Sequence, residues 1–342
     1  MLSTRNTECG HETEDTCRRS RAAIPYSGRL YSVLPGTAPK FRIMATRLAH
    51  FSDIHLTARP LGWRPRDALN KRTTGWVNVK LLGRGARFAH ANDVTAALRA
   101  EFASRGFDQL VFSGDATALG FPSEMTEAAT RLGVGDATLP SGIAVPGNHD
   151  LYIRRSVRDR FFETPFAPWQ HGQRVSADPY PFAQKVGHVW LIALNSAKPN
   201  VLFWDATGRV GVPQLDRFRA LCATLSPGPR IVVSHYPLLK EGHQVEPRWH
   251  RLHDWRAARD AAAECGISLW LHGHRHHWYT LPTAPNLPFP TICTGSSTQT
   301  RRWGYHDYTI DGWHLKGQRR VYDPATRAFV DTDTFEFELP RG

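Results

Sequence analysis

The feature that most constrains this chain is a series of five short apolar runs, each followed closely by Asp, Asn or His. The runs are Arg47–Phe51, Gln109–Phe112, Gly142–Val145, Arg230–Val233 and Ile267–Leu271. Runs of this length and composition predict buried strands. Between them lie amphipathic patterns that predict helices, two of them with the N-cap candidates Asn92 and Ser123. This alternation predicts an α/β fold with a crevice at the carboxyl ends of its strands.

The polar residues that follow these runs form the candidate site. They are Asp53, His55, Asp115, Asn148, His149, His235, His274 and His276. Loops at strand ends hold such side chains on a rigid scaffold, so we expect the set to converge. Gly114, Gly147 and Gly273 precede candidates at three of the junctions. Because glycine allows close backbone approach, these positions are typical of a compact ligand-binding site.

The residue types indicate a pair of divalent cations. Imidazole and carboxylate ligands without thiolate favour Mn, Fe, Zn or Co. One carboxylate can bridge two cations held about 3.5–4 Å apart, as two-metal hydrolytic sites require. Such a pair polarises a phosphoryl group and generates hydroxide from bound water near neutral pH. The expected cofactor is therefore two divalent metal ions.

The motifs together resemble those of the calcineurin-like metallophosphoesterase superfamily, in the family's order. They are Asp53-x-His55, Gly114-Asp115, Gly147-Asn148-His149-Asp150, His235 and Gly273-His274-x-His276. The resemblance covers about residues 44–342, which we expect to form a single metallophosphoesterase domain. It implies a four-layer αββα fold of the α/β class, a two-sheet β-sandwich flanked by helices.

The resemblance also implies which residues hold each metal. Asp53, His55 and His276 would hold the first metal, Asn148, His235 and His274 would hold the second, and Asp115 would bridge them. A hydroxide bridging the two metals would attack phosphorus in line. Loss of Asp115 is expected to disrupt both metal positions.

Two further residues receive roles from the resemblance. His149 is similar to the family's non-ligand histidine, which faces the leaving group as proton donor or charge stabiliser. Asp150 would orient the neighbouring ligands, as groups behind metal ligands commonly do. Loss of His149 is expected to slow turnover while the metals stay bound.

Within the family, the details favour a phosphodiesterase. Asp150 stands where Ser/Thr protein phosphatases commonly carry Glu, and the segment after Asp115 lacks the Arg expected in those enzymes. The stretch His235-Tyr-Pro237-Leu resembles the cyclic-nucleotide or glycerophosphodiester phosphodiesterase branch. The expected partner is a small anionic phosphoester substrate.

A long basic insert, residues 57–90, separates the first two motifs. It holds eight basic residues and one acid, Asp67, with Trp63 and Trp76 interleaved. Because it leaves directly from the first metal motif, we expect it near the crevice mouth. It could clamp extra phosphates, seat the protein on an anionic membrane surface, bind nucleic acid, or form a solvated loop packed by its two Trp.

The insert keeps an alternative substrate open. Its segment Lys71-Arg72…Gly75…Asn78 resembles a bacterial branch that cleaves UDP-diacylglucosamine. That resemblance implies hydrolysis of a lipid-linked pyrophosphate at the membrane surface. A third hypothesis is a non-catalytic metal-binding scaffold or a nucleic-acid module. It is disfavoured because no metal position has been lost and the tail after His276 is short for a DNA-binding extension.

Composition indicates which partners and which compartment suit the protein. The 43 Lys and Arg against 31 Asp and Glu give a net charge of +12, which favours anionic partners. The five Cys have no metal-ligand spacing, which predicts a reduced chain in the cytoplasm. If the insert binds an anionic membrane, the protein would be peripheral to that membrane. The longest apolar run, Val189–Leu194, is too short to span a bilayer. Oligomeric state has no signature in the sequence.

The first 43 residues differ from the rest of the chain. They lack an apolar period and contribute +3 of the net charge. Met44 then leads directly into the first predicted strand. We therefore expect residues 1–43 to be disordered or an extension upstream of a natural start at Met44, with a transit-like or regulatory arm as the alternative.

Overall fold

The computed structural model describes residues 44–342, apart from residues 66, 68 and 69. The predicted extension, residues 1–43, lies outside the described residues, as does Arg66 of the basic insert. The residues from Met44 onward belong to one compact unit. Within this part of the chain, no helix combines the length and apolar character that a membrane crossing needs.

The described residues form twelve strands and six α-helices. The strands are β1 Thr46–Phe51, β2 Gln109–Phe112, β3 Gly142–Ala144, β4 Phe182–Val186, β5 Val189–Ala193, β6 Arg230–Val233, β7 Leu269–His272, β8 Tyr279–Leu281, β9 Thr291–Cys293, β10 Gly304–Asp311, β11 His314–Asp323 and β12 Ala328–Glu338. The helices are α1 Lys71–Lys80, α2 Ala91–Ser104, α3 Pro122–Leu132, α4 Arg154–Arg158, α5 Val212–Thr224 and α6 Trp255–Glu264.

The strands form two six-stranded mixed sheets. The first has the order β12-β11-β10-β1-β2-β3, and the second has the order β4-β5-β6-β7-β9-β8. In the first sheet β1, β2 and β3 are parallel, while β10 runs antiparallel to β1. In the second sheet β5, β6, β7 and β9 are parallel. The carboxyl ends of the parallel strands in each sheet therefore lie at one edge.

The core is built from the alternation of side chains along these strands. Leu48 and Val111 of the first sheet join Leu191 and Ile231 of the second in one buried cluster, which fills the space between the sheets. The alternate positions, such as Ala49 and Phe51, face the other way and pack under the helices. Equivalent outward clusters lie under α5 and α6. The predicted sandwich with flanking helices is confirmed.

Both predicted N-caps are wrong by two residues. The helix expected to begin behind Asn92 begins at Ala91, because Val94 N donates to the His90 carbonyl oxygen at 3.0 Å and closes the first turn earlier. Ser123 lies inside α3, whose N-cap is Phe121. The Ser123 hydroxyl instead donates to the Leu61 carbonyl oxygen at 2.8 Å, so a tertiary contact replaces the cap.

The basic insert folds into a helix rather than a solvated loop. The Asn70 side chain caps α1 by accepting from Arg72 N at 2.9 Å, and a short 3-10 turn follows at Gly85–Phe88. Arg72 and Gly75 form the buried face of α1. A Cβ at Gly75 would overlap the Tyr152 hydroxyl, so glycine permits the helix to lie close against the rest of the fold.

Candidate metal centre

All seven predicted metal ligands lie at the strand ends where the two sheets meet. The first sheet supplies Asp53, His55, Asp115 and Asn148, and the second sheet supplies His235, His274 and His276. Backbone hydrogen bonds tie the first two loops together, with Asp53 N donating to the Gly114 carbonyl oxygen at 2.9 Å. The structure therefore brings together side chains separated by more than two hundred residues of sequence.

Four of these residues form a compact cluster. The ligand atoms of Asp53, His55, Asp115 and His276 all lie within 4.8 Å of one another. His276 Nε2 is 3.2 Å from Asp53 Oδ1, and His55 Nε2 is 3.6 Å from Asp115 Oδ2. These are the residues predicted for the first metal together with the predicted bridge.

The other three predicted ligands adjoin this cluster on the far side of Asp115. His235 Nε2 lies 3.5 Å from Asp115 Oδ2 and 3.2 Å from the Asn148 amide oxygen. His274 Nδ1 lies 3.1 Å from the same amide oxygen. Asp115 thus stands between the two groups, where a bridging ligand would have to lie.

Each of the four histidines directs one ring nitrogen inward. The other nitrogen bonds an oxygen that can only accept: Thr117 O for His55, Ser113 O for His235, His250 O for His274 and Gln299 Oε1 for His276. That nitrogen must therefore carry the proton, which leaves a lone pair on the inward nitrogen. Such outer bonds are what orient metal-ligating histidines.

The electrostatics of the cluster also suit cations. The buried Asp53 Oδ1 accepts no hydrogen bond from the described residues, and it lies opposite the inward nitrogen of His276. At His235, burial lowers the pKa, but the charge and hydrogen bond of Asp115, together with the Asp53 charge and the Ser113 hydrogen bond, raise the pKa to about 9. A proton is thus attracted to a position that a cation between His235 and Asp115 would occupy. The residues present fit a two-cation centre.

The backbone around the cluster is unusual. Asp53, His55, Asp115, His274 and His276 all have left-handed φ angles, between 44° and 70°. Non-glycine residues seldom adopt this conformation. The glycines expected to permit close approach do so: a Cβ at Gly147 would overlap Asp115 Oδ1, and one at Gly273 would overlap Asp53 Oδ2.

His149 borders the cluster without pointing at it as a ligand. Its backbone N–H donates to Asp115 Oδ1 at 2.8 Å, and its Nδ1 donates to the Ala118 carbonyl oxygen at 3.0 Å. Nε2 is then an acceptor, and it receives a hydrogen bond from Arg84 Nη2 at 2.8 Å. Burial, and then the charge of Arg84, lowers the pKa of His149 well below its ordinary value.

Asp150 is fully buried behind the cluster and touches the loops rather than the ligand atoms. Its carboxylate accepts from Gly147 N at 2.9 Å, Ala116 N at 3.2 Å and Thr117 N at 3.0 Å. These bonds hold the loops that carry Asp115 and Asn148. Burial, and then the charge of Asp115, raises the pKa of Asp150 to about 7. Its position suits the orienting role expected of it.

Arg84 and Gln299 are site residues that sequence reasoning did not single out. In the sequence, Arg84 is one of the eight basic residues of the insert. The position of the insert next to the first motif is the signal that points to its basic residues as neighbours of the site. Gln299 lies 23 residues after the histidine that it orients. A lone Gln at that distance carries no recognisable pattern.

Two cavities adjoin Arg84. The larger, of about 1280 Å³, extends from His55 beneath α1 and the loop before it. The smaller, of about 320 Å³, is lined by His276, Asn78, Leu82, Arg84 and Arg87. Arg84 is the residue that lines both, and one ligand of the four-residue cluster borders each.

A family sequence model described as calcineurin-like phosphoesterase matches residues 46–278. No match is found among curated proteins. Among solved structures, the chain is similar to a dimetal phosphatase from Danio rerio, with 12% identity and a TM-score of 0.60, over 87% of this chain and 99% of that one.

Two further solved structures share the fold. A purple acid phosphatase from yellow lupin, Lupinus luteus, is 14% identical with a TM-score of 0.53, over 86% of this chain and 54% of that one. GAP50, the anchor in the inner membrane complex of Plasmodium, is 9% identical with a TM-score of 0.51, over 87% of this chain and 90% of that one. At these identities the likeness is one of fold.

Proposed function

Because the chain belongs to the calcineurin-like phosphoesterase family, we propose that it hydrolyses a phosphodiester at two divalent cations held by the seven clustered residues. The observation that carries the diester is the pair of cavities that meet at Arg84. A phosphate seated at Arg84, beside the cluster, would border both cavities. A diester has two substituents to place in them, whereas a monoester leaves one cavity empty.

The cations, when bound, supply Lewis acidity to the phosphoryl group and lower the pKa of water at the site. The chain's own contribution centres on Arg84. The Asp115 and Asp53 carboxylates attract its guanidinium electrostatically, and one of its N–H groups donates to His149 Nε2. The planar guanidinium has further donors in a fork that matches phosphoryl oxygens.

In this arrangement Arg84 stabilises the negative charge that develops on the leaving oxygen. His149 acts by accepting from Arg84 and so holding the guanidinium at the edge of the cluster. Direct proton donation by His149, the other role expected for it, requires its Nε2 to be released from Arg84 and protonated first. The two roles give different results when Arg84 is replaced.

The test of the proposed function compares bis-p-nitrophenyl phosphate with p-nitrophenyl phosphate, with Mn²⁺ added and with chelator. We expect hydrolysis of the diester to be faster, to require the metal and to be lost in Asp115→Asn. A preference for the monoester would overturn the diester assignment and leave a phosphatase.

A pyrophosphate link is the second candidate, favoured by Arg87. It lines the smaller cavity beside Arg84, so a second phosphoryl group there would meet a second cation. The corresponding substrate is the lipid-linked pyrophosphate suggested by the insert. UDP-glucose serves as a soluble probe: cleavage of its pyrophosphate that falls in Arg87→Ala, while diester cleavage is unchanged, would favour this candidate over the simple diester.

A further inference from the structure

We propose that the larger cavity binds the hydrocarbon chain of an amphiphilic phosphoester whose phosphate lies at the metal cluster. The inference rests on the proposed function, since it names the substrate class of the same site. The cavity begins at the cluster, because His55 and Arg84 are part of its lining. Its volume, about 1280 Å³, exceeds the about 300–1,000 Å³ of ordinary small-molecule sites.

The insert forms an apolar wall of the cavity. Leu61, Trp76 and Val79 line it and pack on a buried cluster that includes Leu119. The Trp63 ring stands at 86° to the Trp76 ring, with the ring centroids 6.5 Å apart. The two rings therefore pack edge to face and add apolar surface to this wall.

Charged residues also line the cavity. At the α3 side, Arg131 Nε donates to Glu127 Oε1 at 2.5 Å, so these two charges satisfy each other. Arg59 and Lys80 are exposed, and their long side chains can keep the charge in water at the rim. A rim of this kind suits the anionic headgroup region from which an amphiphile would come.

Two exposed leucines lie in the chain between Lys80 and Gly83, which both line the larger cavity. Leu81 and Leu82, immediately after α1, are each 72% exposed, and Leu82 also lines the smaller cavity beside His276. Lys80 and Arg84 flank the pair in sequence. This exposed apolar surface beside two basic residues suits contact with the micelle or bilayer from which an apolar chain would come.

A substrate series tests the proposal. Methyl p-nitrophenyl phosphate and octyl p-nitrophenyl phosphate have the same reacting centre and differ only in the chain. We expect kcat/KM to be at least about tenfold higher for the octyl ester, because several methylene groups leave water. Equal values for both esters would overturn the chain site but not the phosphodiesterase, whereas hydrolysis of neither would overturn the proposed function itself.

Thr126→Trp is the variant designed to fill the cavity, because Thr126 is an exposed residue of α3 that lines it. We expect this variant to lose the advantage of the octyl ester over the methyl ester. Thr130→Trp is the control: it lies one turn further along the same helix, is also exposed, and is not part of the lining. An unchanged octyl advantage in Thr126→Trp would contradict the proposal.

A binding measurement separates the chain site from catalysis. Dansylundecanoic acid fluoresces more strongly in an apolar environment, and it can be titrated into the protein with chelator present. We expect saturable binding to wild type and Thr130→Trp, and binding weakened at least about tenfold in Thr126→Trp. Equal binding to all three proteins would place the probe elsewhere and overturn the assignment of this cavity.

Discussion

At the scale of single residues, backbone strain occurs at residues whose side chains form the metal cluster. Five of the predicted ligands have left-handed φ angles, although none is glycine. A non-glycine residue in this region costs on the order of 1 kcal/mol. The surrounding hydrogen bonds, such as those that Asp150 accepts, hold the loops in place against that cost.

This strain gives the first prediction, at His276. In metal-free protein, His276→Gly should be more stable to urea than His276→Ala by about 1 kcal/mol, because glycine adopts positive φ without strain. The neighbouring His277 has no positive φ angle and serves as control. There the order should reverse, with His277→Ala the more stable. The same order at both positions would contradict the strain.

The second prediction concerns Arg84. If its guanidinium stabilises the leaving oxygen, Arg84→Ala should lose about a hundredfold in kcat on a diester with an alkyl leaving group and less on one with p-nitrophenolate. A nitrophenolate needs less stabilisation because it is the weaker base. Metal content, measured on the same samples, should not change. Arg64→Ala, an exposed residue of the same insert, should match wild type.

Equal losses on both leaving groups would indicate that Arg84 only binds the substrate phosphate. Arg84→Lys further distinguishes stabilisation of the leaving oxygen from binding of the substrate phosphate, because a lysine supplies charge without the forked donors. A pH profile that changes only in His149→Ala would restore the proton-donor role to His149.

At the scale of secondary-structure elements, α1 is held by one buried ion pair. Arg72 Nη1 lies 2.7 Å from Asp67 Oδ1, and Arg72 Nε donates to the Leu119 carbonyl oxygen at 3.2 Å. The guanidinium also lies 4.1 Å from the centroid of the Phe121 ring. Removing one partner of a buried pair leaves the other charge uncompensated, which is strongly destabilising.

The third prediction follows. Arg72→Ala should lower the free energy of unfolding by about 3 kcal/mol, and it should expose the insert to limited proteolysis. Arg87→Ala, in the same insert but exposed, should change stability by less than about 0.5 kcal/mol. Unaltered protease resistance in Arg72→Ala would show that other contacts position α1.

The elements also show what sequence patterns can predict. The strands that end at the site are short, apolar and bounded by turn residues, so both their existence and their convergence were predictable. Helix α1 was not, because its sequence, KRTTGWVNVK, has no apolar face of helical period and contains Gly75. Tertiary contacts through Arg72 and Tyr152 determine that helix. For the same reason the position of Arg84 beside His149 was not predictable.

At the scale of the whole molecule, the cluster joins the two sheets. Asp53 and Asp115 follow strands of the first sheet, and His235 and His276 follow strands of the second. Cations bound there would add links between the two layers, which also contact each other through packed side chains and through hydrogen bonds such as the one between His235 and Ser113.

The fourth prediction is that metal binding stabilises the entire fold. At metal concentrations about 100 times the Kd, we expect about 2.7 kcal/mol of added stability, seen as a higher Tm by calorimetry. Chelator should remove this gain in wild type. Asp115→Asn should have a Tm that is insensitive to both metal and chelator. A metal-dependent Tm of equal size in that variant would place the stabilising ions elsewhere.

The sharing of the cluster between the two sheets has a consequence for biosynthesis. The first ligand in the chain is residue 53 and the last is residue 276, and β1 of the first sheet takes its antiparallel neighbour from Gly304–Asp311. A ribosome must therefore emit most of the polypeptide before the ligands can meet. Nascent chains would carry only isolated Asp and His side chains, so selection among cellular metal ions would take place late, on a nearly finished protein.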